Sequence, residues 1–226
     1  MTHDFKNAIA ITGGIATGKS TACSILKLHG YPIIDTDLIA HDVLEQSANE
    51  VVRIFGDEIL DSCESSEDSG KSKSDSHESK LQINRKQTQI NRKKLGKIVF
   101  ADKEKLRILE SILHPKIREC VKIEAQKLES QNIIYFIDIP LFFELQEQGR
   151  GYAISRVLLI YAPRDLQLAR IQKRDNLSID EAKTRLSNQM DIESKKQKAD
   201  FVIENTGNVR DLQTKIEAFL KTITNN

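Results

Sequence analysis

The sequence predicts an α/β fold in which helices flank a parallel sheet of five strands. Short apolar segments alternate with helical segments along the 226 residues, an arrangement typical of doubly wound parallel sheets. A glycine-rich loop lies between the first apolar segment and the first helix. The chain is long enough to bury one substantial core and too short for two domains of ordinary size, so we expect a single domain over residues 1–226.

The first strand and helix carry the most specific motif. Ala8 to Thr12 is a short apolar strand, and the next eight residues read Gly-Gly-Ile-Ala-Thr-Gly-Lys-Ser. This octet fits the G-x-x-x-x-G-K-[ST] pattern of P-loops, which bind nucleoside triphosphates. Apolar residues then recur at helical spacing, so the loop closes onto a helix N-terminus, where free N–H groups and the helix dipole attract phosphate. These residues are Ala22, Ile25, Leu26 and Leu28.

The loop predicts a nucleoside triphosphate, ATP or GTP, together with Mg²⁺ as ligands. Lys19 is expected to reach the β- and γ-phosphates, and the Ser20 hydroxyl is expected to hold Mg²⁺. Asp35 or Asp138 is a candidate for water-mediated contact with the same ion. The full set of predicted nucleotide contacts is Gly13, Gly14, Ala16, Thr17, Gly18, Lys19, Ser20, Thr21 and, from a later helix, Arg170.

The second predicted strand, Tyr31 to Ile34, is followed by two carboxylates. Asp35 and Asp37 come at the strand end, which the doubly wound topology places beside the loop. Residues two apart on an extended segment point the same way, so both carboxylates are expected to face the γ-phosphate. Asp37 is the preferred acceptor of a proton from an attacking hydroxyl. The alternative is that one aspartate caps the helix that begins near Leu38.

A long helical insertion, about residues 38–131, is predicted between the second and third strands. The twenty residues from Asp61 to Lys80 contain eight Ser and six Asp or Glu, and no Ile, Leu, Val, Phe or Tyr. That composition predicts a disordered segment over residues 61–82. The tetrapeptide Ile-Asn-Arg-Lys then occurs at 83–86 and again at 90–93. From Arg92 to Ser130 the spacing is helical, with a break predicted at Pro115, where a new helix would start.

The remaining strands are predicted at Ile133–Ile139, Val157–Tyr161 and Phe201–Glu204. Polar residues at strand ends mark the ligand-binding edge of the sheet. Asp138 and Glu144 either contact the metal shell or cap a helix. Candidate contacts of a second substrate are Thr12, Asp35, Asp37, His114 and Pro140; His114 is otherwise an ordinary turn residue.

Two arginines suggest a lid over the nucleotide. Arg170 and Arg174 lie four residues apart on one helical face, where they either contact the transferred phosphoryl group or form a solvated basic face. Ser178 and Glu181 have the spacing of a capping box that opens a helix running to about Met190.

The composition limits the kinds of binding partner that we expect. The 34 basic and 33 acidic residues give a net charge of +1, so no global field attracts nucleic acid. No apolar run approaches the roughly 18 residues of a membrane span, and the N-terminus lacks the apolar core of a signal peptide. Three scattered cysteines suit reduced thiols. We therefore expect a cytoplasmic protein without membrane or nucleic-acid partners, as a monomer or weak homo-oligomer.

Taken together, the motifs resemble the dephospho-CoA kinase family. The resemblance covers nearly the whole chain apart from the serine-rich segment, and it depends on the order of many short motifs. They are Thr12-Gly13-Gly14-Ile15 with Gly18-Lys19-Ser20-Thr21, Ile34-Asp35-x-Asp37 with Ala40, Asn91-Arg92 with Leu95 and Val99-Phe100, Leu113-His114-Pro115, Asp138-x-Pro140-Leu141-Phe142-x-Glu144, Arg174-Asp175, Arg185 with Gln189, and Ala199-Asp200 with Val202-Ile203-x-Asn205.

The resemblance implies ATP-dependent phosphorylation of the ribose 3′-hydroxyl of dephospho-coenzyme A, the last step of coenzyme A synthesis. It also implies three parts: a nucleotide core of residues 8–37, 132–167 and 199–226, a helical substrate-binding region over roughly Leu38 to Ile117 within the insertion of about residues 38–131, and a lid of about residues 168–190. The family's catalytic roles would fall on Asp37 as base, and on Lys19 and Arg174 as groups that stabilise the transferred phosphoryl group.

The sequence departs from the family pattern at two places. Ala16 stands where many members have glycine, although alanine occurs in others. The serine-rich segment and the repeated Ile-Asn-Arg-Lys replace a short connection, and Asn91-Arg92 is the preferred functional copy because Leu95 and Phe100 follow at the expected distances.

Three other functions are compatible with parts of the sequence. Another P-loop kinase, acting on a nucleoside, a nucleotide or a small metabolite hydroxyl, is the nearest rival. A GTPase is disfavoured because no Asn-Lys-x-Asp motif occurs. A nucleic-acid-binding module on the basic stretch from Lys86 to Lys97 is disfavoured because this stretch has no aromatic residue on which bases could stack.

Overall fold

The computed structural model describes residues 5–61 and 89–224. Five strands alternate with helices in these residues, as expected for the α/β class. The strands are β1 (Ala8–Gly13), β2 (Ile33–Asp35), β3 (Tyr135–Asp138), β4 (Val157–Tyr161) and β5 (Phe201–Glu204). The helices are α1 (Lys19–Leu28), α2 (Thr36–Gln46), α3 (Ala48–Phe55), α4 (Arg92–Ala101), α5 (Lys103–Glu129), α6 (Phe142–Glu147), α7 (Arg164–Asp175), α8 (Ile179–Ser187), α9 (Ile192–Lys198) and α10 (Val209–Thr224), with a 3₁₀ turn at Asp57–Ile59.

The sheet is parallel throughout and has the order β2-β3-β1-β4-β5. The predicted five-stranded parallel sheet is therefore confirmed, with each strand end within two residues of its predicted place. In the register, Asp138 lies opposite both Ile11 of β1 and Asp35 of β2. The order thus brings the carboxyl ends of β1, β2 and β3 together, although β3 is a hundred residues away along the chain.

Alternate residues of the central strands face different helices. Leu158 and Ile160 of β4 join a core cluster with Leu26 of α1 and Ile216 of α10. The intervening Leu159 and Tyr161 instead pack with Ile192 of α9. Because successive strand residues point to opposite faces, this pattern places helices on both sides of the sheet.

The chain divides into two compact units, residues 1–39 with 119–226 and residues 40–118. The second unit has its own apolar cluster, which includes Val51, Ile59, Ile90 and Leu95. Ile90, from the second Ile-Asn-Arg-Lys copy, is buried, and the Asn91 side chain caps α4 by accepting a hydrogen bond from the Lys94 N–H at 3.0 Å. The copy at 83–86 and the predicted disordered segment beyond residue 61 lie outside the described residues.

The predicted helix break at Pro115 is wrong. Helix α5 runs without interruption from Lys103 to Glu129 with Pro115 inside it, and the break falls at Asp102. The Asp102 backbone is extended (φ −137°), and its carboxylate accepts hydrogen bonds from the N–H groups of Glu104 and Lys105. An internal proline costs a helix roughly 3 kcal/mol. That cost is offset here by the burial of Val121 and Ala125 after Pro115, and by the packing of the partly buried Leu106, Leu109 and Leu113 before it.

Candidate functional site

A cavity of about 570 Å³ opens at the carboxyl end of β1. It brings together the glycine-rich loop, one aspartate and two arginines that the sequence singled out. Its wall is formed by residues 13–16 and 18–21 with Asp37, Pro140, Arg170, Arg174, Gln189 and Asn205. Of the other predicted site residues, Thr12 and Thr17 are buried beneath the loop, and His114 lies in α5 within the unit of residues 40–118.

Two glycines of the loop are required by close packing. Gly18 has φ +92°, and a Cβ added there would lie 2.1 Å from Nδ2 of Asn205. At Gly13 the added atom would lie 2.9 Å from the carbonyl oxygen of Ile160. Ala16 also has a positive φ, +60°, a conformation that favours glycine.

Side chains remote in the sequence hold the backbone of the loop. The Gln189 Oε1 accepts from the Ile15 N–H at 3.0 Å, and the Asn205 Nδ2 donates to the Thr17 carbonyl at 2.8 Å. Arg170 donates to the carbonyls of Ala16 (3.2 Å) and Asn205 (3.0 Å). The loop is therefore shaped before any ligand arrives, which lowers the entropy cost of binding.

Lys19 forms an ion pair with Asp138. Its ammonium contacts both carboxylate oxygens, with Oδ2 at 2.6 Å. Both side chains are largely buried, with exposed fractions of 15% and 11%. The sequence alone offered Asp138 only as a metal-shell or capping residue; its pairing with the loop lysine follows from the adjacency of β1 and β3.

Burial raises the pKa of the neighbouring Cys23 thiol to about 12, with the Asp138 charge acting in the same direction. The thiol lies 3.5 Å from Asp138 Oδ2. A thiol with this pKa stays protonated at neutral pH, so Cys23 acts as a buried packing residue and not as a nucleophile. This agrees with the expectation of reduced thiols.

Asp35 and Asp37 have different surroundings. Asp35 ends β2, and its Oδ1 accepts hydrogen bonds from the N–H groups of Asp37 and Leu38, both at 3.0 Å. Asp37 lies in the first turn of α2 and lines the cavity. The expectation that both lie on one extended segment is wrong, because the helix begins at Thr36. The capping alternative applies to Asp35 and leaves Asp37 facing the cavity.

The Asp37 carboxyl is perturbed. The protein around it removes part of its hydration, which raises its pKa above the ordinary value; the Lys19 cation opposes this shift, and Asp138 and Asp35 add to it. A carboxylate of raised pKa is a stronger base than an ordinary aspartate. Perturbed carboxylates in clefts are typical of functional sites.

Thr12 does not reach the cavity. It is fully buried, and its hydroxyl donates to the Pro140 carbonyl at 3.1 Å. The Thr36 hydroxyl makes the equivalent bond to the carbonyl of Asp138 at 2.7 Å. These bonds tie the end of β1 to the segment that follows β3, and the start of α2 to the last residue of β3. Pro140 itself lines the cavity.

The two arginines of α7 have different contacts. Arg170 donates hydrogen bonds to the phosphate loop, whereas Arg174 is exposed and forms a bidentate pair with Asp175 at 2.8 and 2.9 Å. Arg185 of α8 donates to the same carboxylate at 2.6 Å. The hydrogen bonds from Arg174, with the charge of Arg185, lower the pKa of Asp175. The predicted capping box is present, and the helix it opens ends at Ser187, short of Met190.

Glu144 neither caps a helix nor faces the cavity wall. Its Oε1 accepts from the Met190 N–H at 2.9 Å and lies 2.7 Å from the ammonium of Lys195. Lys195 is completely buried. Sequence analysis gave no role to Lys195, Gln189 or Asn205. Gln189 and Asn205 stood within the family motifs, but no local pattern revealed that they bond to the loop.

The residues present suit a magnesium ion held mainly by a nucleotide. Ser20 lines the cavity beside Asp37, and these groups supply oxygen ligands. Within residues 5–61 and 89–224, no cluster of three His, Cys, Asp or Glu side chains could hold a metal by itself. Mg²⁺ commonly takes few protein ligands and completes its shell with phosphates and water. Over the same ranges, no helix is long and apolar enough to cross a membrane.

Comparisons with known proteins agree with the motifs. A model of the family described as dephospho-CoA kinase matches residues 7–65 and 75–211. The dephospho-CoA kinase of Helicobacter pylori strain J99 is 44% identical over 218 residues, which cover 96% of this chain and 98% of that protein. That of Wolinella succinogenes is 43% identical and covers 96% and 94%.

Solved structures are similar too. The dephospho-CoA kinase from Campylobacter jejuni superposes with a TM-score of 0.67 at 37% identity and covers 96% of both chains. A Thermus thermophilus protein superposes with a TM-score of 0.72 at 31% identity, covering 95% of this chain and 96% of that one.

Proposed function

Because the chain belongs to the dephospho-CoA kinase family, as its motifs predicted, we propose that its cavity transfers the γ-phosphoryl group of ATP to the ribose 3′-hydroxyl of dephospho-coenzyme A. The proposal that this cavity is the active site rests on one observation. A single cavity is lined by the phosphate loop, by Asp37 and by Arg174. It therefore presents a donor site, a base and a cation side by side.

Asp37 serves as the base. The hydroxyl oxygen forms a bond to the γ-phosphorus while the bond from that phosphorus to the β–γ bridging oxygen breaks, and ADP leaves with the electron pair. The hydroxyl proton passes to the Asp37 carboxylate. Its raised pKa makes proton acceptance more favourable, and its place on the cavity wall gives it access to the acceptor.

Lys19 stabilises charge on the phosphates. In the structure it is paired with Asp138, so binding of a triphosphate exchanges or shares that partner. The pair keeps the ammonium in place beforehand, since an isolated lysine would sample many rotamers. The amide N–H groups at the start of α1 complete the phosphate site.

Arg174 and Ser20 complete the proposed machinery. Arg174 stabilises the equatorial oxygens of the transferred group from above the cavity. Ser20 would hold Mg²⁺, with Asp35 or Asp138 contacting the ion through water. When bound, the ion neutralises charge on the β- and γ-phosphates. Thr12, Pro140 and His114 are the remaining proposed determinants of the substrate site, with Thr12 acting indirectly through Pro140.

A turnover panel tests the proposal. Purified protein with ATP and Mg²⁺ is assayed for ADP formation with dephospho-coenzyme A, nucleosides, nucleoside monophosphates and small metabolite alcohols. We expect turnover with dephospho-coenzyme A and a product phosphorylated at the ribose 3′ position, identified by NMR. Faster turnover of any other acceptor would overturn the substrate assignment and favour another P-loop kinase activity.

We further propose that the enzyme acts in the cytoplasm, where ATP is abundant, as a monomer or weak homo-oligomer without nucleic-acid partners. The near-zero net charge supports the last point. Light scattering over a concentration series measures the oligomeric state, and a mass above that of a dimer would contradict it.

A further inference from the structure

The segment between α8 and α9 touches the phosphate loop directly. The Gln189 side chain accepts the hydrogen bond of the Ile15 N–H at 3.0 Å and also lines the cavity. The backbone N–H of Gln189 donates to the Leu186 carbonyl at 3.2 Å, which continues the last turn of α8. This one residue therefore joins the end of α8 to the third residue of the octet.

A buried ion pair holds the residue that follows Gln189. The next residue, Met190, donates its N–H to Glu144 Oε1 at 2.9 Å, and the same oxygen lies 2.7 Å from the ammonium of Lys195. Glu144 belongs to α6 and Lys195 to α9. The carboxylate thus ties the segment to two helices at once.

The helix after the segment begins beside the loop. The Asp191 carboxylate caps α9 by accepting from the N–H groups of Glu193 and Ser194. A Cβ added at Gly14 would lie 3.4 Å from the Cδ1 of Ile192, the first residue of α9. The start of α9 therefore lies next to Gly14 of the loop.

A completely buried lysine is costly, because desolvation of both charges largely cancels their attraction. Apolar residues of similar size often stabilise a fold as well as a buried ion pair does. The Glu144–Lys195 pair is thus better explained by a positioning role than by stability alone. What it positions is the backbone of Met190, and with it the adjacent Gln189.

We propose that Gln189 is a positioning residue for the phosphate loop, held in place by the Glu144–Lys195 pair. Gln189 keeps the Ile15 amide, and with it the first half of the loop, in the shape that receives phosphate. This inference rests on the proposed nucleotide site and is independent of the acceptor substrate. Binding of Mg²⁺–ADP therefore tests it without any turnover.

The first test replaces Gln189→Leu, which keeps the side-chain size and removes the acceptor. We expect the Kd for Mg²⁺–ADP, measured by calorimetry, and the KM for ATP to rise about 5- to 20-fold, as for the loss of one buried hydrogen bond. We expect kcat to fall less than 3-fold, on the order of half a kcal/mol. Gln213→Leu is the matched control, because Gln213 is exposed on α10 and bonds only to the nearby Glu217 in the structure.

A purely structural role would give a different pattern. It would lower Tm and leave the nucleotide Kd within about 2-fold of the parent, equivalent to less than 0.5 kcal/mol. That result would overturn the proposal. If ADP affinity behaves as expected but dephospho-coenzyme A is not phosphorylated, the proposed acceptor fails while the positioning role stands.

The second test asks whether Lys195 acts through Gln189. Lys195→Met, Gln189→Leu and the double variant form a cycle measured by ADP binding. Because one group would act through the other, we expect the double variant to bind ADP as weakly as the weaker single variant, within about 2-fold. Multiplicative losses would show independent effects and contradict the coupling.

Lys195→Met leaves the Glu144 carboxylate buried without a cation. If this variant does not fold, Glu144→Leu with Lys195→Met provides the cycle without a buried charge and removes the acceptor of the Met190 N–H. We expect this apolar pair to weaken ADP binding, and its combination with Gln189→Leu to bind ADP as weakly as the weaker of the two, within about 2-fold. ADP affinity equal to that of the parent would contradict the role of the pair.

Discussion

Asp35 and Asp37 are two identical side chains, two residues apart, that have different roles. The Asp35 oxygen accepts two backbone N–H groups at the start of α2, whereas the Asp37 carboxyl faces the cavity. The distinction arises because the chain turns into a helix at Thr36. A carboxylate whose oxygen already serves as a cap is a poor candidate for a base.

We expect Asp37→Asn to reduce kcat at least 10³-fold and to change the Kd for Mg²⁺–ADP by less than about 3-fold, because only the proton acceptor is removed. Single-turnover kinetics and calorimetry measure the two quantities. Asp35→Asn is the control, since an asparagine oxygen still caps the helix. If Asp35→Asn abolishes turnover and Asp37→Asn does not, the base assignment is wrong.

Asp37→Asn should also change how the stability of the protein depends on pH. Because the folded-state pKa of Asp37 is raised above its unfolded value, ionisation of this group favours unfolding. Its contribution to stability is full below the unfolded pKa and is lost as pH rises through the folded pKa. We therefore expect Asp37→Asn to raise Tm near pH 7 and to leave it nearly unchanged near pH 3, as measured by calorimetry. A lower Tm near pH 7 would contradict the raised pKa.

Gly18 is the second position decided at the residue scale. Its positive φ and the 2.1 Å approach of Asn205 Nδ2 act together. Displacing that amide would break its bond to the Thr17 carbonyl. Gly30 offers a matched control, because its φ of +83° is similar and an added Cβ meets nothing within 4 Å.

We expect Gly30→Ala to lower the free energy of unfolding by about 1 kcal/mol from backbone strain alone. Gly18→Ala should cost at least about 2 kcal/mol more, through the lost hydrogen bond and the steric contact, and should abolish measurable ADP binding. Urea unfolding and calorimetry provide the values. Equal losses in the two variants would mean that Asn205 yields without cost.

At the scale of elements, α7 and α8 act as a pair joined by Asp175. Arg174 at the end of α7 and Arg185 on α8 share its carboxylate. Of these two arginines, Arg174 lines the cavity. The shared carboxylate aligns the ends of both helices and limits the rotamers of Arg174 before a nucleotide binds.

Arg174→Ala should lower kcat about 10²- to 10³-fold, because it removes a donor to the transferred group. Arg185→Ala removes a partner of the same carboxylate and should lower kcat less than 10-fold. Steady-state kinetics with both variants separates the roles. Similar losses for both would indicate that the Asp175 pairs, and not contact with phosphate, account for the effect.

Helix α5 shows the limit of reading elements from local signals. Pro115 predicted a helix start, yet the helix begins twelve residues earlier, after the Asp102 cap. Propensity is weak evidence wherever apolar packing on both sides of a proline supports the helix. By contrast, the capping box at Ser178 and Glu181 was confirmed, because that motif is satisfied within a single turn.

At the scale of the whole molecule, the cavity lies entirely in the unit formed by residues 1–39 and 119–226. We expect Mg²⁺–ADP to slow hydrogen exchange in the phosphate loop and at Gln189 and Asn205, and to leave α4 unchanged. Dephospho-coenzyme A should slow exchange within residues 40–118, the region that the family resemblance assigns to the acceptor. Protection of α4 by ADP alone would contradict this division.

The sheet order explains which contacts escaped sequence reasoning. Lys19 pairs with Asp138, which is 119 residues away, because β1 lies next to β3. Gln189 reaches Ile15 across 174 residues, and Asn205 reaches Thr17 across 188. No spacing rule connects residues so far apart.

The sequence by itself determined the five strands, the phosphate loop, the capping box and the family. Each of these depends on residues that are near neighbours in the chain, or on the order of such short motifs. The tertiary structure decided the partners: Asp35 as a cap and Asp37 on the cavity, Lys19 with Asp138, and Gln189 on the loop. The physical reason is that hydrogen bonds and ion pairs are short-ranged, so their partners are set by the packing of strands and helices.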